Sequence, residues 1–167
     1  EQVRREIVPL CEQLYKAQAK RIGVEKVLAY DENLVFGDGN AVPVGDDDFL
    51  LEKAREMYRD MSKETGEFID YMIDHELLDL KNKPGKAATG YMCCLDSLKA
   101  PFVFSCFNGT TGDVDVLTHE LGHAFAGYEA ARTQPITAYY SEPTDIAEIH
   151  SMSMEQLAYP YAEKFFG

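Results

Sequence analysis

Basic side chains are scarce in this sequence. It contains 16 Lys and Arg residues against 29 Asp and Glu residues, which gives a formal net charge of −13 at pH 7. Proteins bind nucleic acids and anionic membrane surfaces through clusters of Lys and Arg. The shortage therefore argues against both kinds of partner, and the acidity is more typical of a surface that keeps a protein soluble.

The sequence also lacks long apolar segments and paired cysteine motifs. No apolar run approaches the roughly 18–20 residues of a membrane-spanning helix, and residues 1–6 are charged, unlike the apolar core of a signal peptide. No CxxC pair is present, and adjacent cysteines such as Cys93 and Cys94 rarely bond to each other. We interpret these two and the remaining cysteines, Cys11 and Cys106, as reduced thiols. The sequence therefore predicts a reducing compartment and a cytoplasmic protein.

The overall composition is that of a folded domain. Hydrophobic residues make up 46% and charged residues 27% of the 167 residues. We predict one domain over residues 1–167, mainly α with a small β-sheet (α+β). Helical periodicity covers 2–21, 47–79, 113–128 and 144–159, and short strands are predicted within 26–44, 90–95 and 101–107. Pro9 should kink the first helix or mark its true start, and Gly66 is a possible break in the second.

One short motif carries most of the chemistry. His119, Glu120 and His123 match the pattern H-E-x-x-H within a predicted helix. Residues i and i+4 lie on one helical face, so the two imidazoles can converge on one zinc ion. Glu120 is then close enough to activate a metal-bound water and to pass its proton to the leaving amine. Gly122, between the two histidines, allows close packing beneath the metal.

A third protein ligand for zinc must come from elsewhere in the chain. The metzincin class is excluded, because residues 126–129 contain no third histidine at its required spacing. The candidates that remain downstream are Glu129, Glu142, Asp145, Glu148, His150 and Glu155. Glu129 follows His123 too closely to fold back, whereas Glu148 stands in the next predicted helix.

Three other residues deserve separate predictions. Asp145 lies one turn before Glu148 and can either orient a ligand histidine or satisfy backbone N–H groups at the start of the helix. His150 is a candidate for contacting the substrate or supporting a ligand. His75 is followed by Glu76 but by no second histidine, so we predict a surface or structural role for it.

Beyond the motif itself, three stretches of sequence resemble a known family. They are Gly85–Tyr91, Pro101–Thr118, which leads into His119, and Pro143–Glu155. On these residues the chain resembles the oligoendopeptidase F branch of the thimet oligopeptidase family of zinc metallopeptidases. The likeness extends along nearly the whole chain, although the first 80 residues match by pattern more than by motif.

The resemblance implies both a fold and a site. Members of the family form a mostly helical bowl with a small sheet around a deep channel, and they cut short peptides at internal bonds. Their zincin-like catalytic core holds one zinc ion, whose ligands correspond to His119, His123 and Glu148, with Glu120 as the general base. The strand at 101–107 resembles the zincin edge strand that pairs with the substrate backbone.

The departures from the family concern length. Its members are several times longer and carry a later cluster of His and Tyr residues that stabilises the oxyanion, and they often have Asn near the position of Cys106. The sequence begins without Met and has core-like residues at both ends, so we expect an excerpt of a larger helical peptidase. Loss of an oxyanion donor typically lowers turnover about 10²–10³-fold. We therefore expect a zinc-binding core that is weakly active or inactive without the remaining segments of its parent chain.

Two alternatives remain open at this point. Zinc carboxypeptidases of a related helical fold also combine H-E-x-x-H with a distant Glu, although different residues follow that Glu than 149–154 here. A non-catalytic zinc-bound module is the second alternative. The presence of Glu120 argues against it, because structural zinc sites need no base and are usually closed by four protein ligands.

Overall fold

Two helices and an irregular segment form the first part of the chain. In the computed structural model, which describes residues 1–141 and 143–167, helix α1 spans Gln2–Glu6 and helix α2 spans Val8–Ile22. Pro9 lies in the first turn of α2, where its missing N–H is not needed. It therefore marks the start of the long helix, which is one of the two outcomes predicted for it. The helix ends at Gly23, which adopts a left-handed conformation with φ 78°.

The short strands predicted within 26–44 are wrong. That segment forms turns and bends instead. Side chains of α2 hydrogen-bond its carbonyl groups: Gln18 donates to the carbonyls of Asp31 and Leu34, and Arg21 donates to that of Val35. These contacts occupy backbone acceptors that a sheet would use.

The chain divides into two compact units, Glu1–Ala41 and Val42–Gly167. Only Ala19 is buried in the first unit, whereas the second unit contains an extensive hydrophobic core. The prediction of a single domain over 1–167 stays a prediction.

The second unit opens with an antiparallel pair of helices. Helix α3 spans Asp47–Met61 and helix α4 spans Lys63–Asp74. The break falls at Ser62, not at Gly66 as predicted, because the Ser62 hydroxyl caps α4 by accepting a hydrogen bond from the Thr65 N–H at 3.1 Å. The helical pattern predicted to residue 79 extends five residues beyond the observed end of α4 at Asp74. The residues after His75 lead into the first strand.

Three short strands make a mixed sheet. Strand β1 is Leu78–Asp79, β2 is Tyr91–Leu95 and β3 is Ala100–Phe104. The order is β1-β3-β2, with β3 parallel to β1 and antiparallel to β2. The prediction that 101–107 is the edge strand is therefore wrong, because β3 is hydrogen-bonded on both sides. The strand with an open edge beside the predicted site is β2.

Three helices complete the second unit. They are α5, Thr111–Thr133, α6, Thr144–Ala158, and α7, Glu163–Phe166. Leu117 and Leu121 of α5 are fully buried and belong to the same core as Phe68 of α4 and Val103 of β3. The mainly helical fold with a small sheet confirms the predicted fold class. Within the described ranges, no helix is both long and apolar enough to cross a membrane.

Candidate metal centre and active site

The two histidines of the motif and one distant carboxylate meet in space. His119 and His123 stand on successive turns of α5 with ring centroids 4.9 Å apart. Glu148 on α6 brings its Oε2 atom to 3.3 Å from Nε2 of His119 and 3.5 Å from Nε2 of His123. The potential ligand atoms of the three residues all lie within 4.8 Å of one another.

This spacing fits a zinc ion. Ligand atoms held about 2.0–2.2 Å from a tetrahedral zinc are roughly 3.3–3.6 Å apart, and both measured distances to Glu148 fall in that range. Two imidazole nitrogens and one carboxylate oxygen are also a donor set that zinc favours. Three protein ligands leave one tetrahedral position for water, which is the arrangement of catalytic rather than structural sites.

The close crossing of α5 and α6 positions Glu148. A Cβ atom at Gly122 would lie only 2.7 Å from the Cα of Ser151 and 2.9 Å from the Cβ of Met154. The prediction that Gly122 permits close packing beneath the site is therefore confirmed. Only a residue without a side chain lets the backbone of α6 approach α5 this closely.

Ser151 orients the carboxylate of Glu148. Its hydroxyl is fully buried and donates a hydrogen bond to Oε2 of Glu148 at 2.8 Å. This bond is the main cause that lowers the pKa of Glu148, and the nearby histidines act in the same direction. Sequence reasoning missed Ser151, although a hydroxyl one turn after a predicted ligand is a signal that points to such a contact.

Glu155 contacts His119 from the other side. Its Oε1 atom lies 2.5 Å from Nδ1 of the imidazole. Because a carboxylate only accepts hydrogen bonds, Nδ1 carries the proton and Nε2 keeps its lone pair for a metal. The sequence predicts Glu155 only as a candidate ligand. It lies two turns after Glu148, and the i, i+7 spacing that puts both on one side of α6 could have indicated a shared site.

Glu120 is nearly buried beside the start of β2. Its exposed fraction is 8%, and burial raises the pKa of its carboxyl group, with a further upward effect from the charge of Glu148. The interaction with the His119 side chain and a hydrogen bond from the backbone N–H of Met92 act in the opposite direction on this pKa. A Cβ atom at Gly90 would lie 3.4 Å from Oε1 of Glu120, so the backbone that leads into β2 passes directly alongside this carboxylate.

The other predicted site residues lie apart from the three ligand atoms. Asp145 is exposed in the first turn of α6, and Glu129 is exposed on α5. His150 is half-buried, and its backbone carbonyl belongs to the close contact at Gly122. Glu142 lies outside the described residues. His75 is exposed at the end of α4 with Nδ1 2.9 Å from the carbonyl of Tyr71, in line with its predicted surface role.

The comparisons with known proteins identify peptidases as the relatives of this chain. The model of peptidase family M3 matches residues 56–166. Among solved structures, PZ peptidase A, determined with an inhibitor, is 50% identical over 99% of this chain, with a TM-score of 0.94. A protein from Bacillus anthracis str. Ames assigned as oligoendopeptidase F is 48% identical over 99% of the chain, with a TM-score of 0.92. A second structure assigned as oligoendopeptidase F is 51% identical over 99% of the chain, with a TM-score of 0.94.

These comparisons confirm the resemblance found in the sequence. No curated protein sequence matches the chain significantly. The chain spans 29–30% of the length of the three solved relatives.

Proposed function

The chain belongs to peptidase family M3, and we propose that it is the catalytic core of a zinc-dependent endopeptidase that cuts short peptides at internal bonds. The observation that carries the proposal is the convergence of His119, His123 and Glu148 at distances that suit tetrahedral zinc. The similarity to proteins assigned as oligoendopeptidase F supports the same activity.

In this proposal the three residues hold one zinc ion per chain. Bound there, zinc would lower the pKa of water toward about 7 and polarise the carbonyl group of a peptide. Glu155 keeps the proton of His119 on Nδ1, and Ser151 holds the carboxylate of Glu148 in place. Both contacts keep the ligand atoms pointed at a common centre.

Glu120 is the proposed general base. One of its carboxylate oxygens accepts a proton from the attacking water and then delivers that proton to the leaving amide nitrogen. Burial keeps this carboxylate away from bulk water, and the neighbouring Gly90 leaves room for a peptide backbone to approach it. A purely structural metal site would need no such group.

The open edge of β2 is the proposed binding site for the peptide backbone. An extended peptide can add to it as a further strand, and main-chain hydrogen bonds then bind substrates of many sequences. Strand β2 starts next to Gly90 and therefore next to Glu120. Segments of a longer chain would complete the channel and supply donors to the oxyanion, so the chain alone is proposed to be weakly active. The cytoplasm is the proposed location.

The first test measures bound zinc and cleavage together. We expect about one zinc per chain, lost in His123→Ala but kept in the matched control His75→Ala, which changes an exposed histidine. Glu120→Gln should keep zinc and lower peptide cleavage by at least 10²-fold, whereas Glu129→Gln, on the exposed side of the same helix, should have little effect. A chain that takes up no zinc, or a Glu120→Gln variant that still cleaves at the original rate, would refute the proposal.

Peptides with blocked termini separate the proposed activity from that of a carboxypeptidase. An endopeptidase cuts a peptide whose C-terminus is amidated, because it does not need to bind a free carboxylate. Cleavage only of peptides with a free C-terminus, one residue at a time, would favour the carboxypeptidase instead.

A further inference from the structure

A small pocket lies beside Gly90, the residue that adjoins Glu120. Its volume is about 220 Å³, below the roughly 300–1,000 Å³ of pockets that hold whole drug-sized ligands. Three segments line it: the loop 88–90 before β2, the residues that follow β3, and the first two turns of α5. Its size suits one side chain rather than a whole peptide.

The pocket opens next to the proposed base. Gly90 and Val116 both line it. A Cβ atom at Gly90 would lie 3.0 Å from Cγ1 of Val116 and 3.4 Å from Oε1 of Glu120. A peptide that runs along β2 and past Gly90 therefore passes the mouth of the pocket at the point where it also meets Glu120. The side chain that enters belongs to a residue close to the bond that is cut.

The walls offer hydrogen bonds to an uncharged group. Ser105 is only 3% exposed and lines the pocket, and its side chain makes no hydrogen bond to any residue that the structure describes. Asn108 uses its Oδ1 to accept from the N–H and hydroxyl of Thr110, which leaves its amide N–H groups as donors. A polar side chain in the pocket can hydrogen-bond to this hydroxyl and to the amide group of Asn108.

Charge restricts which side chains fit. Asp113 lies in the wall, Glu120 lies near the mouth, and the lining contains no Lys, Arg or His. An acidic side chain would meet two carboxylates without a compensating cation. The Asp113 carboxylate already accepts hydrogen bonds from the backbone N–H groups of Asn108 and Gly109, so it also offers little to a cation that must leave water.

Lys86 keeps the outer wall of the pocket in place. Its side chain is 2% exposed, and its Nζ donates to the carbonyl oxygens of Asp79 at 2.8 Å and Lys81 at 2.9 Å. It also lies 3.0 Å from Oδ1 of Asp79 and 4.5 Å from the ring centre of Phe104. These contacts tie the loop before β2 to the sheet, so the pocket is formed before any peptide arrives.

From these observations we propose that the pocket is a specificity subsite that receives a small uncharged polar side chain, such as Ser, Thr or Asn, of the substrate residue beside the cut bond. Ser105 and Asn108 recognise that side chain. This inference rests on the proposed peptidase function, because it concerns the substrate of that reaction.

The test uses residue-resolved alkylation in the zinc-loaded Glu120→Gln chain, which should bind peptides without cutting them. Cys106 lines the pocket and reports its occupancy, whereas the exposed Cys11 lies in the first unit and serves as reference. The chain has no Trp, so one Trp in each peptide reports binding by fluorescence. Blocked peptides carry Ser, Asp or Lys at one position, which is moved along the peptide in steps of one residue.

We expect the Ser peptide, in one register, to protect Cys106 from alkylation while the rate at Cys11 stays constant. In that register the Ser peptide should bind about tenfold more tightly than the Asp and Lys peptides, the effect of roughly one hydrogen bond. The Asp and Lys peptides should leave Cys106 unprotected. Ala88→Phe, an exposed loop residue that lines the pocket, should remove the preference for Ser. Ala87→Phe, its exposed neighbour outside the pocket, should retain it.

Two results would overturn the subsite. Binding seen by Trp fluorescence without protection of Cys106 in any register, or equal protection by all three peptides, would reject it and leave the proposed function intact. A chain that binds neither zinc nor any peptide would reject the proposed function, and the subsite with it.

Discussion

At the scale of single residues, Glu155 decides how firmly His119 is held. The contact between its carboxylate and Nδ1 of the imidazole fixes both the ring orientation and the position of the proton. We expect Glu155→Ala to lower zinc affinity about 10–100-fold, as removal of such a partner does in other metal sites. Competition with a chelator measures this effect.

Asp145→Asn is the matched control for that experiment. Asp145 is on the same helix as Glu155 and is exposed, so its variant should bind zinc with unchanged affinity. Equal losses in the two variants would mean that the overall negative charge of α6, rather than the contact to His119, determines the affinity.

The buried Lys86 and the partly exposed Asp79 form an ion pair with a pH-dependent contribution to stability. The hydrogen bond from Lys86 is the main cause that lowers the pKa of Asp79 below its usual value of about 3.9. The pair therefore stabilises the fold fully above that value, and the contribution disappears as the pH falls through the lower pKa of the folded state.

We expect Lys86→Met to reduce the free energy of unfolding by about 1–3 kcal/mol at pH 7, because the carbonyl groups of Asp79 and Lys81 lose their hydrogen bonds from a charged donor. The deficit should begin to shrink below about pH 4, where Asp79 of the unfolded chain takes up a proton, and should shrink further as the pH falls through the lower pKa of folded Asp79. Urea denaturation at pH 7 and pH 3 measures the loss of stability and its decrease at low pH. Lys83→Met is the control, since Lys83 contacts Asp79 from an exposed position. A deficit in Lys86→Met that is the same at both pH values would contradict this account.

At the scale of whole elements, the crossing of α5 and α6 brings the third ligand to the first two. Gly122→Ala would place a Cβ atom 2.7 Å from the Cα of Ser151, and α6 would have to move. We expect a loss of about 1–3 kcal/mol in stability together with weaker zinc binding, because Glu148 and Glu155 move with their helix. Thermal unfolding and zinc titration measure the two effects.

Gly112→Ala gives a control on the same helix. A Cβ atom there would meet only Oγ1 of Thr110, at an ordinary 3.4 Å. Because Ala favours helix more than Gly does, this variant should be neutral or slightly more stable, with unchanged zinc binding. Weaker zinc binding in both variants would show that zinc binding depends on α5 as a whole and not specifically on its crossing with α6.

The strands illustrate where element-level prediction succeeds and fails. Alternation and aromatic content predict the starts of β2 and β3 to within one residue. Helices α5 and α6 are also predicted, although α5 continues five residues beyond its predicted end, to Thr133. Strand β1 was missed because it has only two residues, Leu78–Asp79, which continue the apolar spacing of α4. The family resemblance predicts β3 as an edge strand, and its pairing with β1 excludes that role. Strand order is a property of long-range pairing and leaves no periodic signal in the sequence.

At the scale of the whole molecule, the core and the candidate site both belong to the second unit. The first unit, Glu1–Ala41, buries only Ala19. We expect a shortened chain, Val42–Gly167, to bind zinc with the same stoichiometry and to unfold cooperatively. Zinc titration and calorimetry would measure this. A shortened chain that fails to fold would support the alternative prediction, a single domain over 1–167.

The sequence by itself determined the family and the chemistry of the motif. His119, Glu120 and His123 are related by the local geometry of one helix, so their spacing alone indicates a shared site. The resemblance already predicts Glu148 as the third ligand, and the tertiary structure brings its carboxylate beside the two histidines. Only the tertiary structure decided which acid contacts His119, which strand lies at the open edge, and that a pocket lies next to Gly90 and Glu120. Each of these depends on contacts between residues distant in the chain. Such contacts arise from packing, as at Gly122 between α5 and α6, and packing is not encoded in any single stretch of sequence.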